Sequence, residues 1–145
     1  MPMIGNEHLD VESKYQATLA YLYRFVDYSL VRNFRNSPET FDLGRMRSLA
    51  QAMGNPQEAY PVIHVAGTKG KGSVSALCAE ALRAAGYKVG LYTSPHLDDF
   101  AERIQFDGQP IPHADLVRLV DEQQAVLQSI PNITFFEITT ALAFL

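Results

Sequence analysis

Midway along the chain stands Gly67-Thr68-Lys69-Gly70-Lys71-Gly72-Ser73, three glycines and two lysines in seven residues. What flanks it narrows the choice of fold. Val62-Ile63-His64-Val65-Ala66 comes before it, a short β-branched run of the buried-strand type. Ser73 to Ala85 follows with helical character, closed by Gly86, and Lys88-Val89-Gly90-Leu91-Tyr92-Thr93 reads as a second strand. Strand, turn, helix and strand within about thirty residues make a βαβ unit, which predicts an α/β fold with a parallel sheet.

The glycine loop has a physical use. A helix start leaves its first N–H groups unpaired and carries partial positive charge. Glycines ahead of it let backbone N–H groups close around a phosphate without Cβ clashes. Lys71 stands where a lysine reaches the outer phosphates, and Thr68 and Ser73 supply hydroxyls for a phosphate or Mg²⁺. The spacing departs from the general phosphate-loop motif. Gly72 follows Gly70-Lys71, the hydroxyl comes one place later, and Val65 stands where the first glycine belongs. The plain alternative is a glycine-rich βα turn that holds no ligand.

The rest of the chain alternates helices and turns. Leu19, Leu22, Tyr23, Val26 and Leu30 recur at helical steps, predicting a helix from Tyr15 to about Val31. Asn33 to Thr40 reads as a loop. Leu43, Met46, Leu49, Ala50 and Met53 line a second helix, with Asp42 as its cap and Gly54-Asn55-Pro56 as its stop. Arg103 to Phe106 suggests a third strand turning at Asp107-Gly108, and Leu116 to Leu127 a helix before Pro131. A last helix begins near Thr134 and runs to Leu145 with no stop signal, which implies a chain that continues.

Composition sets outer limits. The chain has 145 residues, 47% of them hydrophobic, enough for a domain core, and a net charge of -4 that argues against a nucleic-acid coat or basic membrane arm. No signal-peptide pattern or bilayer-length apolar run is present, and the single cysteine, Cys78, fits a reducing cytoplasm and packing on a helix.

The variant loop is itself a signature. "VIHVAGTKGKGS", then "AAGYKVGLYTSPHL" and "ERI", with "FDLGRMRSLA" upstream and "TFFEITTALAF" downstream, resembles the folylpolyglutamate synthase and dihydrofolate synthase group of the Mur ligase superfamily. The resemblance covers most of the chain and is strongest from Pro61 to Ile111; Lys69 stands where Asn is common. It implies a three-layer, P-loop-type α/β domain with a mostly parallel sheet. Residues 1–145 would be the N-terminal part of the ATP-binding domain, without the C-terminal glutamate-binding domain. The implied activity is ATP-dependent ligation of L-glutamate to a folate or to dihydropteroate through an acyl phosphate, in a cytoplasmic monomer that needs no nucleic acid or membrane. Gly67, Thr68, Lys69, Gly70, Lys71, Gly72 and Ser73 would bind ATP, with Lys71 catalytic. Ser94 and Glu137 would be Mg²⁺ ligands, the remaining metal-site residues lying beyond this chain. Asp27, Tyr28, Ser29, His96 and Arg103 would face the substrate.

Plainer readings stand beside these. Ser94-Pro95 is also an ordinary turn signal. Thr134-x-x-Glu137 is also a capping box. Arg103 can pair with Glu102 or Asp99 instead of a substrate, and His64 reads as a core histidine. At the level of function, the alternatives are another Mur-type amino-acid ligase and a nucleotide-binding module without catalysis.

Overall fold

The computed structural model describes residues 4–25 and 43–145, with 4–9 as backbone alone. Asp27, Tyr28 and Ser29 lie outside the described residues, as do the Asp42 cap, the Asn33 to Thr40 loop and the far end of the predicted first helix. The chain divides into two compact units, Met1–Pro61 with Val117–Leu145, and Val62–Leu116.

In the first unit, α1 (Ile4–Leu22) begins well before the predicted Tyr15. The added turns are mostly polar, with Ile4, Leu9 and Val11 too sparse to give a clear apolar period. Lys14 pairs with Asp10 and Gln16 bonds Glu12 one helical turn apart, the spacing that supports an exposed helix. Helix α2 (Leu43–Ala52) ends where Gly54 and Asn55 take positive φ, 83° and 55°, as the Gly-Asn-Pro stop predicts. Helix α4 (His113–Ser129) begins in the second unit and continues in the first, followed by α5 (Phe135–Phe144). The core of this unit holds Tyr15, Leu22, Leu49, Leu127, Phe135 and Ile138, all essentially sealed from solvent. Tyr23 stacks on Phe135, and the Tyr60 hydroxyl donates to the Phe144 carbonyl at 2.6 Å, tying the end of α5 down.

The second unit carries the glycine loop, helix α3 (Lys71–Ala84) and strands β1 (Gly90–Tyr92), β2 (Ile104–Phe106) and β3 (Gln109–Pro110). The sheet order is β1-β2-β3 and both pairings are antiparallel, with Leu91 opposite Gln105 and Gln105 opposite Pro110. The β2–β3 turn falls at Asp107-Gly108, both at positive φ, the backbone a tight hairpin needs. The chain is therefore α/β, but its observed sheet is not the predicted parallel one. Residues 62–66 form no strand, and Val62 and Ile63 are 54% and 65% exposed. A buried-type strand has no way to pay for its backbone desolvation unless a neighbour pairs with it, and among the described residues none does. His64 is accordingly exposed rather than in a core. No residue of α3 is buried, and Cys78 on it is half-buried.

Candidate functional site

The glycine loop enters α3 through Gly70, which caps the helix at φ 77° with no side-chain hydrogen bond. That left-handed backbone favours glycine. The first intrahelical bond runs from Val74 N–H to the Gly70 carbonyl. The amides of Lys71, Gly72 and Ser73 precede it, so they are the unpaired donors of a helix start. A Cβ at Gly70 or Gly72 would meet nothing within 4 Å. Close packing is therefore not what requires glycine at 72. The Lys71 ammonium folds back across the loop and donates to the Gly67 carbonyl at 2.7 Å. Thr68, Lys69 and Ser73 are exposed around it. Unpaired helix-start amides with a lysine beside them are donors that a polyphosphate can use.

Beyond β1 the chain makes a tightly tied loop. Ser94 is exposed, and Ser94–Pro95 is a cis peptide. The Glu102 carboxylate accepts from the amides of Leu97, Asp98 and Asp99 at 2.8, 3.1 and 3.0 Å. Those amide bonds, Leu97 first, hold its pKa below the usual carboxylate value. Asp99 in turn accepts from the Ala101 amide and meets His113 Nε2 at 3.1 Å. Arg103 is buried, 8% exposed, donates from Nε to His96 Nδ1 at 2.8 Å, and lies 5.6 Å from the Phe100 ring. The structure thus brings His96 and Arg103 together. Because a guanidinium only donates, Nδ1 of His96 accepts and the neutral ring carries its proton on Nε2. The Glu102 carboxylate is engaged with the loop amides.

Glu137 resolves differently. Thr134 caps α5, its hydroxyl accepting from the Glu137 amide at 3.2 Å while Thr134 N–H donates to Glu137 Oε2 at 2.8 Å. The capping box read from the sequence is present. A second partner comes from α2: Arg45 Nε lies 3.1 and 3.3 Å from the two carboxylate oxygens, with side chains only 15% and 14% exposed. Arg45 escaped the sequence reading because its partner is 92 residues away. The only signal was a charge beside the apolar face of a predicted helix. Among the described residues, no cluster of three or more His, Cys, Asp or Glu is placed to hold a metal. Glu137 and Ser94 each carry the hard oxygen donors Mg²⁺ prefers, but the Glu137 carboxylate already accepts from the Arg45 Nε–H and the Thr134 amide.

No family model matches the chain. Individual proteins do. It is 40% identical over 136 residues to a folylpolyglutamate synthase from Lacticaseibacillus casei, covering 90% of this chain and 30% of that protein. It is 40% identical over 108 residues to a dihydrofolate synthase/folylpolyglutamate synthase from Bacillus subtilis, covering 71% of this chain and 25% of that one. The crystal structure of a folylpolyglutamate synthase from Thermotoga maritima superposes with a TM-score of 0.78 at 35% identity, over 92% of this chain and 30% of that chain. The chain is similar to members of the folylpolyglutamate synthase and dihydrofolate synthase group. A folylpolyglutamate synthase solved with AMPPCP and folate aligns with a TM-score of 0.76 at 41% identity, over 90% of this chain and 31% of that one. The chain therefore spans less than a third of the length of each of these relatives. No helix among the described residues is long and apolar enough to cross a membrane.

Proposed function

We propose that this chain is the ATP-binding front of a ligase that joins L-glutamate to a folate carboxylate, and to dihydropteroate where the enzyme serves both reactions. The observation that carries the reading is the glycine-capped helix start at Gly70 to Ser73 in a chain 40% identical over 136 residues to a folylpolyglutamate synthase. A free carboxylate is a poor electrophile, and phosphorylation by ATP gives it a leaving group that the glutamate amine displaces. Little covalent chemistry falls to the protein, so its part is positioning and charge neutralisation. The loop amides and Lys71 hold the outer phosphates, and Lys71 leaves the Gly67 carbonyl to do so. Ser94 and Glu137 are each proposed as oxygen ligands of Mg²⁺, which when bound offsets phosphate charge. His96, with its tautomer set by Arg103, presents an Nε2–H donor to the substrate. Residues 1–145 form the N-terminal part of the ATP-binding domain, in a cytoplasmic enzyme.

The test is calorimetric titration of the chain with Mg²⁺–AMPPCP. Lys71→Ala should weaken binding by about tenfold or more, the loss of a charge-assisted contact. Equal binding by both proteins would remove Lys71 from the phosphate site. A second reading is favoured by the chain's 30% share of its relative's length: alone, it binds nucleotide without turnover. An ADP-release assay with folate and L-glutamate separates the two.

A further inference from the structure

We propose that the groove between α1 and α4 binds a small organic ammonium with an apolar body, at a site separate from the glycine loop. On α1, Lys14, Ala17, Thr18 and Tyr21 recur at steps of three and four residues, and on α4 so do Val117, Val120, Asp121 and Gln124. That spacing puts each set on one side of its helix. The two sides line a groove of about 300 Å³, and all of these residues belong to the first unit. Stripes of this kind usually close into a packed seam. Here Thr18, Val117 and Val120 are buried, yet the seam stays open. The short side chains of Ala17 and Thr18 are what α1 sets against the valines, and they do not fill the space.

Two features select the ligand. The Tyr21 hydroxyl is buried and has no hydrogen-bond partner. A buried hydroxyl left unpaired is costly and uncommon in native proteins. Since solvent does not reach it, a group brought in beside its ring is what can satisfy it. The second feature is charge. The Lys14 ammonium is committed to Asp10, one turn back at 2.7 Å. Asp10 first, and the charge of Asp121 last, hold the Lys14 pKa above its ordinary value, so Asp121 stands within electrostatic reach of Lys14. One cation against two carboxylates leaves the mouth of the groove net negative. Arg118 and Glu122, on the same helix, cancel each other at 3.1 Å. The mouth therefore favours a cation and opposes an anion. Ala17 and the two valines form the apolar wall, and an apolar wall with a few polar groups is the usual lining of a small-molecule site. The volume is at the lower end for such sites, so the ligand is small.

Tyramine has this chemistry: an ammonium, an apolar ring and a hydroxyl. The experiment titrates the ¹⁵N-labelled chain with tyramine and follows the amide signals by NMR. Saturable shifts should centre on Ala17, Tyr21, Val120 and Gln124, with a Kd of about 1 mM or tighter for a ligand of about ten non-hydrogen atoms. The hydroxyphenylpropanoate anion, a like body with the charge reversed, should bind at least about fivefold more weakly, the factor for one charge near 4 Å in water-like surroundings. Asp121→Asn should weaken tyramine by the same factor. Phenylethylamine, which lacks the hydroxyl, should bind about threefold more weakly than tyramine, and Tyr21→Phe should erase that difference. Ala17→Leu, at an exposed helix position that leucine suits, should fill the groove and abolish binding with the helical circular dichroism unchanged. If that variant does not fold, Asp121→Asn decides, since its position is exposed. Shifts that do not saturate or that centre elsewhere would overturn the inference. So would equal binding of amine and acid, a tyramine preference that persists in Tyr21→Phe, unweakened binding by Asp121→Asn, or binding that survives in folded Ala17→Leu.

Discussion

Glu137 shows how one side chain can hold a local and a distant role at once. Its bond to the Thr134 amide belongs to the capping box and is written in four consecutive residues. Its pairing with Arg45 is not. The two contributions separate by substitution. Thr134→Ala removes the cap and should cost about 1 kcal/mol. Glu137→Gln keeps an acceptor for Thr134 but leaves Arg45 facing a neutral group at 15% exposure. It should cost about 2 kcal/mol, between the values of exposed and buried pairs. Urea unfolding of both variants checks this, and equal losses would mean that capping is the whole stabilising role. A residue-scale test of the loop is Gly70→Ala. Its Cβ meets nothing, so any lost stability is the cost of φ 77°, about 1–2 kcal/mol for a residue other than glycine.

At the scale of elements, the loop from 94 to 103 depends on one carboxylate. Glu102 accepts three amides, and its pKa is lowered by them. A lowered folded pKa means that the stabilisation is present in full above the unfolded value. It is lost as pH falls through the folded one. Amide exchange at Leu97, Asp98 and Asp99, corrected for its intrinsic pH dependence, should therefore stay slow on acidification past the ordinary carboxylate range. It should quicken only below that range. Glu102→Gln should quicken it at neutral pH, and unchanged protection in that variant would mean the amides are held by something else. The elements that sequence alone reveals are those with a local code: Thr134 before α5, Gly54-Asn55 after α2, Asp107-Gly108 between β2 and β3. The reading failed at residues 62–66, because a buried-type strand is defined by its neighbours and not by its own residues. It failed again at Arg45, whose partner no window contains. The turn into α3 was legible because it is carried by consecutive backbone positions, with Gly70 capping the helix at φ 77°. The surroundings of the residues that the resemblance implies for substrate were not legible. Arg103 proves buried against His96 and Phe100, and Asp27, Tyr28 and Ser29 lie outside the described residues.

For the molecule as a whole, the second unit presents apolar side chains that a self-contained domain would cover. Val62, Ile63, Val74 and Leu77 are all about half exposed or more, Leu77 at 71%. Exposed large apolar side chains mark an interaction face or an aggregation liability where they adjoin. Because these side chains are already in water, replacing one should cost little. Leu77→Gln should change unfolding free energy by less than about 0.5 kcal/mol, as for other surface substitutions. The same variant should bind less of an apolar fluorescent dye and self-associate less at high concentration, measured by light scattering. A loss of about 2 kcal/mol or more would instead match the truncation of a buried leucine. It would mean that in solution α3 is covered, by the chain itself or by a second copy. Dilution separates those two, since only a loss shared with a second copy shrinks as the protein is diluted below its association constant.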